Sequence, residues 1–81
     1  MIYLYIIKCK DGSFYTGITS DLERRIKEHN SRMKSCLQKS KVPVELVYFE
    51  KYSTRIEAAR REKEIKGWSR IKKRKLINSL H

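Results

Sequence analysis

The sequence has few prolines, glycines or cysteines, and it contains no long apolar run. Its 81 residues include one Pro, three Gly and two Cys. A membrane-spanning helix needs roughly 18 consecutive apolar residues, and no run approaches that length. Two cysteines are too few for a disulfide framework, and the histidines show no zinc-binding spacing. With no export leader visible, we expect a single domain over residues 1–81 in the reducing cytoplasm.

Acidic residues are also scarce. Nine Asp and Glu stand against 20 Lys and Arg, a net charge of +11. Nucleic acid is the commonest polyanion that binds such a positively charged protein, through phosphate contacts and counterion release. An acidic protein partner, or simple solubility, would explain the same charge. Five Tyr, two Phe and one Trp, with clustered apolar residues, argue against a disordered chain.

The hydrophobic pattern predicts a small α/β domain. Ser20 and Glu23 form a capping-box pair that should open the first helix, and Thr54 or Ser53 and then Ser69 should open the later ones. We expect strands over 2–9, 13–18 and 44–51, and helices over 21–31, 54–66 and 70–79, with a short helix near 33–38. This order predicts a three-stranded, mainly antiparallel sheet flanked by helices, with the first strand central.

The turn between the first two strands sets which side chains share a face. A two-residue turn would place Tyr5 and Tyr15 on opposite faces of the sheet. A three-residue loop over 10–12, with Gly12 in the left-handed region, pairs Ile7 with Tyr15 instead. The two tyrosines then become diagonal neighbours on one face. The Lys-Asp-Gly sequence suits that loop, and we predict it.

Polar side chains fall where the first helix should be apolar. Leu22, Ile26 and Met33 define its buried stripe on a helical wheel. His29 lies on that stripe, and Arg25 lies on its flank, one turn earlier. These residues could be a satisfied core histidine and an arginine that extends to water. They could also form a site that faces an anion.

The second long helix has a carboxylate in its only apolar arc. Glu62 lies on the wheel between Ala58 and Ala59, about 60° from Ile65. A buried glutamate is costly unless a cation, a metal or hydrogen bonds compensate it. Two interpretations stay open at this point: a structural ion pair with a core arginine, or a metal ligand at a cleft.

Together these positions resemble the GIY-YIG nuclease superfamily, in particular a small, single-domain branch of uncharacterised proteins. Tyr3-Leu4-Tyr5 stands where the first triplet would be, and Tyr15-Thr16-Gly17 stands where the second would be. The sequence spacings from Tyr15 to Arg25 and from Arg25 to His29 also fit the family. Residues 57–66, which include Glu62, are similar to the family's helix that carries the catalytic glutamate. Tyr3 and Leu4 replace the Gly-Ile of the first triplet, and Thr16 replaces the middle residue of the second. Asn78 is the only candidate for an asparagine that the family often places near the end.

The resemblance implies phosphodiester hydrolysis with Mg²⁺ or Mn²⁺ as cofactor. Glu62 would hold the single metal ion, since Mg²⁺ is commonly bound by one carboxylate together with waters and substrate oxygens. Arg25 would bind non-bridging phosphate oxygens. Tyr5 would orient or deprotonate the attacking water, with Tyr15 assisting, and a tyrosinate base would require nearby positive charge. His29 would bridge the helix to a tyrosine or to the phosphate.

The last helix suggests a phosphate-binding surface without base-reading residues. Its predicted contacts are Arg70, Lys72, Lys73, Arg74 and Lys75. We therefore expect an endonuclease that acts on nucleic acid, with DNA favoured. Its action would have low sequence specificity or be directed by DNA structure, as in repair or processing, or a protein partner would supply its specificity. Two alternatives stay open: a catalytically weak or inactive nucleic-acid-binding module of the same fold, and a module that binds an acidic protein.

Overall fold

The protein, seen in a computed structural model that describes residues 1–31 and 43–79, is a three-stranded sheet with helices on both faces. The elements, in chain order, are β1 (Ile2–Lys8), β2 (Phe14–Thr19), α1 (Leu22–Ser31), β3 (Glu45–Tyr52), α2 (Arg55–Lys66) and α3 (Arg70–Asn78). The expected α/β class is confirmed. The short helix expected near 33–38, and Met33 with it, lie outside the described residues. Among the described helices, none combines the length and apolarity needed to cross a membrane.

The sheet is antiparallel throughout, in the order β2-β1-β3. The central position expected for the first strand is confirmed, and it follows from the apolar character of both its faces. β1 pairs with β2 in a regular register, whereas its register with β3 shifts between Ile6 and Ile7. The shift leaves Val47 as an extra residue in β3, as in a β-bulge.

The hairpin loop has the predicted three-residue form. Gly12 has φ +88°, a left-handed conformation that side chains disfavour. Its N–H donates to the Cys9 carbonyl at 2.9 Å, and the Cys9 N–H donates to the Ser13 carbonyl at 2.8 Å. Ile7 therefore pairs with Tyr15, and Tyr5 pairs with Gly17. The prediction that Tyr5 and Tyr15 share one face of the sheet is confirmed.

Two apolar clusters form the core, one on each face of the sheet, because alternate residues of β1 point to opposite sides. On one face Tyr5 and Ile7 pack with Leu22 and Ile26 of α1. On the other face, Leu4 and Ile6 pack with Ile65 of α2 and with Leu76 and Ile77 of α3. We call these the α1 face and the α2–α3 face.

The helix starts agree with the predicted caps at two of three positions. The Thr54 and Ser69 side chains accept the N–H groups of Glu57 and Lys72. The expected Ser20 cap of α1 is wrong, because Asp21 takes its place and its Oδ1 accepts the Arg24 N–H at 3.1 Å. β2 extends to Thr19, so Ser20 belongs to the connection between strand and helix. Gly67 ends α2 at φ −82°, without the left-handed conformation common at that position.

An ion-pair cluster joins α2 to β3. The Arg61 Nε donates to Glu50 Oε1 at 3.1 Å, and the Tyr48 and Tyr52 hydroxyls also donate to the Glu50 carboxylate. The side chains of Arg61 and Glu50 are only 23% and 18% exposed. Burial alone would raise the pKa of Glu50, but the hydrogen bonds from Arg61 and the tyrosines outweigh it and lower that pKa. Burial and the adjacent carboxylate raise the pKa of each tyrosine to about 12.

Replacing Glu50 by Gln tests this cluster, because Glu50→Gln keeps the shape and removes the charge. We expect the free energy of unfolding to fall by about 2 kcal/mol, the contribution of hydrogen bonds to a charged group. The folded pKa lies below the ordinary value of 4.5. The stabilisation is therefore present above pH 4.5 and is lost as pH falls through the folded pKa. Urea denaturation at neutral and acidic pH measures both effects.

Glu23→Gln is the matched control. The Glu23 side chain is 84% exposed, and its ion pair with Lys27 is long, at 3.6 Å. Its replacement should change the free energy of unfolding by less than about 0.5 kcal/mol. If the two variants were equally stable at neutral pH, the structural role of Glu50 would be contradicted.

Candidate active site

The Tyr5 hydroxyl links β1 to α1 at the centre of the site. It lies 3.0 Å from His29 Nε2 and accepts a hydrogen bond from Arg25 Nε at 3.3 Å. Because an arginine N–H can only donate, the phenol proton can be directed to His29 when Nε2 is unprotonated. Tyr5 is 1% exposed and His29 is fully buried. The wheel positions of Arg25 and His29 therefore reflect a shared partner on the sheet.

Gly17 makes room for that phenol. A Cβ at position 17 would lie 2.6 Å from the Tyr5 hydroxyl oxygen and 2.8 Å from its ring Cζ. Such distances are inside van der Waals contact, and the ring is held on its other side by α1. The glycine of the second triplet is thus a steric requirement of the first triplet's tyrosine.

Tyr15 completes an aromatic group with Tyr5 and His29. Its ring centroid lies 5.2 Å from the His29 ring, edge to face, and 6.5 Å from the Tyr5 ring. Tyr15 is half-buried. Of the two phenols, Tyr15 is therefore the one with more access to solvent.

The environment holds both buried groups in their neutral forms. Burial, and then the charge of Arg25, lower the pKa of His29 below its ordinary value of 6.5. Burial raises the pKa of Tyr5 above 10.0, and this effect exceeds the opposing influence of the Arg25 hydrogen bond and charge. A neutral imidazole is therefore available as an acceptor beside Tyr5. A standing tyrosinate at Tyr5 is disfavoured.

Glu62 lies on α2, whose Ile65 packs on the α2–α3 face. The charge of Glu62 contributes to the raised pKa of Tyr5, so the carboxylate and the phenol share one electrostatic environment. The Glu62 side chain is 22% exposed, and its Oε2 pairs with Lys66 Nζ at 3.3 Å. Of the two interpretations left open, the ion pair with a core arginine belongs to Glu50 and Arg61. The role of Glu62 as a metal ligand stays a prediction.

The donor set suits a metal ion held mainly by waters and substrate. Within residues 1–31 and 43–79, no three His, Cys, Asp or Glu side chains lie together as a metal cage. Mg²⁺ is commonly bound by one or two carboxylates and completes its shell with waters and phosphates. Glu62, partly exposed, fits that arrangement as a single protein ligand.

Arg25 has a second partner that the sequence reasoning missed. Its Nη1 donates to Glu28 Oε1 at 3.4 Å, and these side chains are 29% and 24% exposed. The pair has i, i+3 spacing, which is a recognisable signal on a helix. Hydrogen bonds from Arg25 to Tyr5 and Glu28 fix the guanidinium at the surface of the α1 face.

The basic residues of α3 lie elsewhere. α3 packs on the α2–α3 face, behind the sheet as seen from Tyr5, Tyr15 and His29. There the Arg70 guanidinium lies 5.4 Å from the Phe14 ring, and Lys72 Nζ lies 4.3 Å from the Trp68 ring. The structure brings together Tyr5, Tyr15, Arg25 and His29 on the α1 face, and Glu62 of α2 is linked to them through its electrostatic effect on Tyr5. It does not join Arg70, Lys72, Lys73, Arg74 and Lys75 to them. Nucleic-acid binding by α3 stays a prediction.

The fold agrees with what comparisons with known proteins show. Residues 1–75 match the GIY-YIG catalytic domain. The chain belongs to the GIY-YIG nuclease family, as the resemblance indicated.

Its relatives include UPF0213 proteins of bacteria and archaea. One from Staphylococcus saprophyticus is 53% identical over 76 residues, covering 94% of this chain and 93% of the relative. One from Haloquadratum walsbyi is 47% identical over 74 residues, covering 91% and 83%. The solution structure of a Bacillus halodurans UPF0213 protein is 43% identical, with TM-score 0.62 and coverage of 96% and 84%. A solution structure of an Enterococcus faecalis protein has TM-score 0.65 at 38% identity, covering 98% and 84%.

Replacing Gly17 by Ala tests the fit of Tyr5. We expect Gly17→Ala to lower the free energy of unfolding by about 1–3 kcal/mol, the range for overpacked cores. It should also separate the Tyr5 hydroxyl from His29, which would shift the imidazole NMR signals. Gly67→Ala is the control, because its nearest atom would be the Glu64 carbonyl oxygen at 3.5 Å. Equal effects of the two alanines would contradict the fit.

The burial of His29 predicts a pH dependence. Because its folded pKa is lowered from 6.5, the unfolded chain binds a proton that the folded chain resists. The free energy of unfolding should therefore decline as pH falls below about 6.5 towards the folded pKa. Replacing His29 by Gln should reduce this slope. An NMR titration of the imidazole with a midpoint at or above 6.5 would contradict the assignment.

Proposed function

We propose that the chain is a metal-dependent endonuclease that hydrolyses nucleic-acid phosphodiesters with low sequence specificity, with DNA as the favoured substrate, in structure-directed repair or processing. One observation carries the proposal. The partly exposed guanidinium of Arg25 donates a hydrogen bond to the Tyr5 hydroxyl, and the charge of the partly exposed Glu62 carboxylate also acts on Tyr5. Phosphodiester hydrolysis needs this combination of cation, metal ligand and proton acceptor.

Glu62 is the residue that would hold Mg²⁺ or Mn²⁺. Such an ion, when bound, neutralises phosphate charge and stabilises the leaving oxygen. The carboxylate keeps enough exposure, 22%, to be reached from solvent. Its contact with Lys66 joins two side chains one turn apart on α2, and Lys66 is itself 54% exposed. That lysine can move aside without disturbing the core.

Arg25 binds the phosphate in this proposal. Its guanidinium carries more N–H donors than its bonds to Tyr5 and Glu28 use. A planar guanidinium suits two phosphate oxygens at once. Because the bond to Tyr5 fixes its orientation, less side-chain entropy is lost when the phosphate binds.

Tyr5 and Tyr15 have different roles in this proposal. Tyr5 is buried, with a raised pKa, and we assign it to positioning Arg25, which revises the water-activating role that the resemblance implied. Tyr15 has the greater exposure, and we assign it to orienting the attacking water. His29 is neutral and lies beside both rings, so it can take up a proton from the group.

A second function is favoured by one contact. The ion pair of Glu62 with Lys66 competes with a metal ion for the same carboxylate. A chain in which this pair persisted would keep the fold and bind nucleic acid, but it would cleave slowly or not at all. Phosphate binding through Arg25 and the net charge of +11 would serve that module equally well.

Cleavage assays on plasmid and branched DNA with added Mg²⁺ or Mn²⁺ test the proposal. We expect Glu62→Gln and Arg25→Lys to lower the cleavage rate by about 10²–10³-fold, the range for losing one charge-stabilising group. Tyr15→Phe should have an effect of similar direction. Glu64→Gln is the matched control, since its side chain on the same helix is 56% exposed.

Each result decides between the two functions. An inactive wild type that binds DNA in a salt-sensitive manner would establish the binding module. Cleavage that survives both Glu62→Gln and Arg25→Lys would contradict the site. Activity equal to wild type in the Glu64 variant is required for the losses to be specific.

A further inference from the structure

A cleft beside the candidate active site has an aromatic wall. It encloses about 320 Å³ and is lined by Tyr3 and Phe49 of the sheet, Lys51, and the start of α1 with Asp21 and Glu23. The Tyr3 and Phe49 rings pack edge to face with centroids 6.1 Å apart. Phe49 is 42% exposed, so its ring can be reached from solvent.

The cleft adjoins Tyr5 through the pairing of β1 with β3. Tyr5 is directly opposite Phe49 in the β1–β3 pairing, and Tyr3 is opposite Lys51. Since alternate residues share a face, Tyr3, Phe49 and Lys51 lie on the α1 face with Tyr5. A strand of nucleic acid with a phosphate at Arg25 therefore has its neighbouring nucleotide within reach of the aromatic pair.

The charges of the cleft select a base over a phosphate. Asp21 and Glu23 are exposed carboxylates on one side, and they would repel the sugar-phosphate backbone. Carboxylate oxygens can, however, accept hydrogen bonds from the amino groups of a base. Lys51, on the sheet side, supplies a cation for the backbone that passes outside the cleft. Aromatic rings bind bases of any sequence through their π faces.

We propose that Tyr3 and Phe49 form a stacking platform for an unpaired nucleobase next to the cleaved phosphodiester. This inference rests on the proposed function and defines its substrate class: single-stranded nucleic acid, or a junction with a splayed base. A duplex keeps its bases stacked on each other and could not use the platform. Tyr3 replaces the glycine of the first triplet, so the platform depends on a side chain that this chain adds to the family pattern.

Binding measured without hydrolysis tests the platform. Fluorescence anisotropy in EDTA compares a short labelled single strand with the duplex of the same sequence. We expect the wild type to prefer the single strand, and Phe49→Leu to weaken single-strand binding by about tenfold, since the ring face on which a base stacks is lost. Duplex binding should stay unchanged. Leucine keeps the apolar bulk and removes only the π face.

The controls separate stacking from a general loss. Ile56→Ala removes an exposed apolar residue, 66% exposed, from α2 and should leave both affinities unchanged. Tyr3→Leu provides a second variant and should reproduce the loss seen for Phe49→Leu. Circular dichroism confirms that each variant is folded. Unchanged single-strand binding in both platform variants, or an equal loss for single strand and duplex, would overturn the proposal.

The binding and cleavage assays distinguish failure of the platform proposal from failure of the endonuclease proposal. If the wild type does not cleave DNA but binds single strands through Phe49, the endonuclease proposal is wrong and the platform proposal stands. If the enzyme cleaves DNA but Phe49→Leu and Tyr3→Leu both leave its single-strand affinity unchanged, the endonuclease proposal stands and the platform proposal is wrong. A wild type that binds neither nucleic acid would overturn both.

Discussion

The hydrogen bonds of one buried phenol hold the candidate site together. Tyr5 lies across Gly17, contacts His29, and accepts a hydrogen bond from Arg25. It therefore connects β1, β2 and α1 at a single point. The phenol and imidazole are held neutral by burial, whereas Arg25 keeps its charge at the surface. In so small a core, moving this ring would change the position of every other group in the site.

The sheet separates two kinds of surface. The α1 face carries the phenols, Arg25 and the aromatic cleft, whereas the α2–α3 face is packed with apolar side chains and carries the ion pair of Glu50 with Arg61. That ion pair fixes α2 against β3, and α2 also carries Glu62. Glu50 therefore helps to position Glu62, the candidate metal ligand, because Glu50 holds in place the helix that carries it.

Local patterns in the sequence predicted much of this arrangement. The Lys-Asp-Gly loop determines the register, and the wheel positions of Arg25 and His29 indicate a shared partner. What failed or escaped notice depends on tertiary contacts. Asp21 rather than Ser20 caps α1 because β2 extends to Thr19. The Glu50–Arg61 pair joins residues 11 apart in sequence, on a strand and a helix whose separate patterns reveal neither partner. The exposure of Phe49 depends on how the start of α1 leaves the cleft open.

The central claim is that Glu62 and Arg25 face one metal- and phosphate-binding surface with the phenols. Paramagnetic broadening of backbone NMR signals by low concentrations of Mn²⁺ tests it most directly, without requiring turnover. The account predicts that broadening begins at Glu62 and extends to Tyr5, Tyr15 and Arg25, and that Glu62→Gln abolishes it. Broadening centred on other surface carboxylates, and unchanged in that variant, would contradict the account.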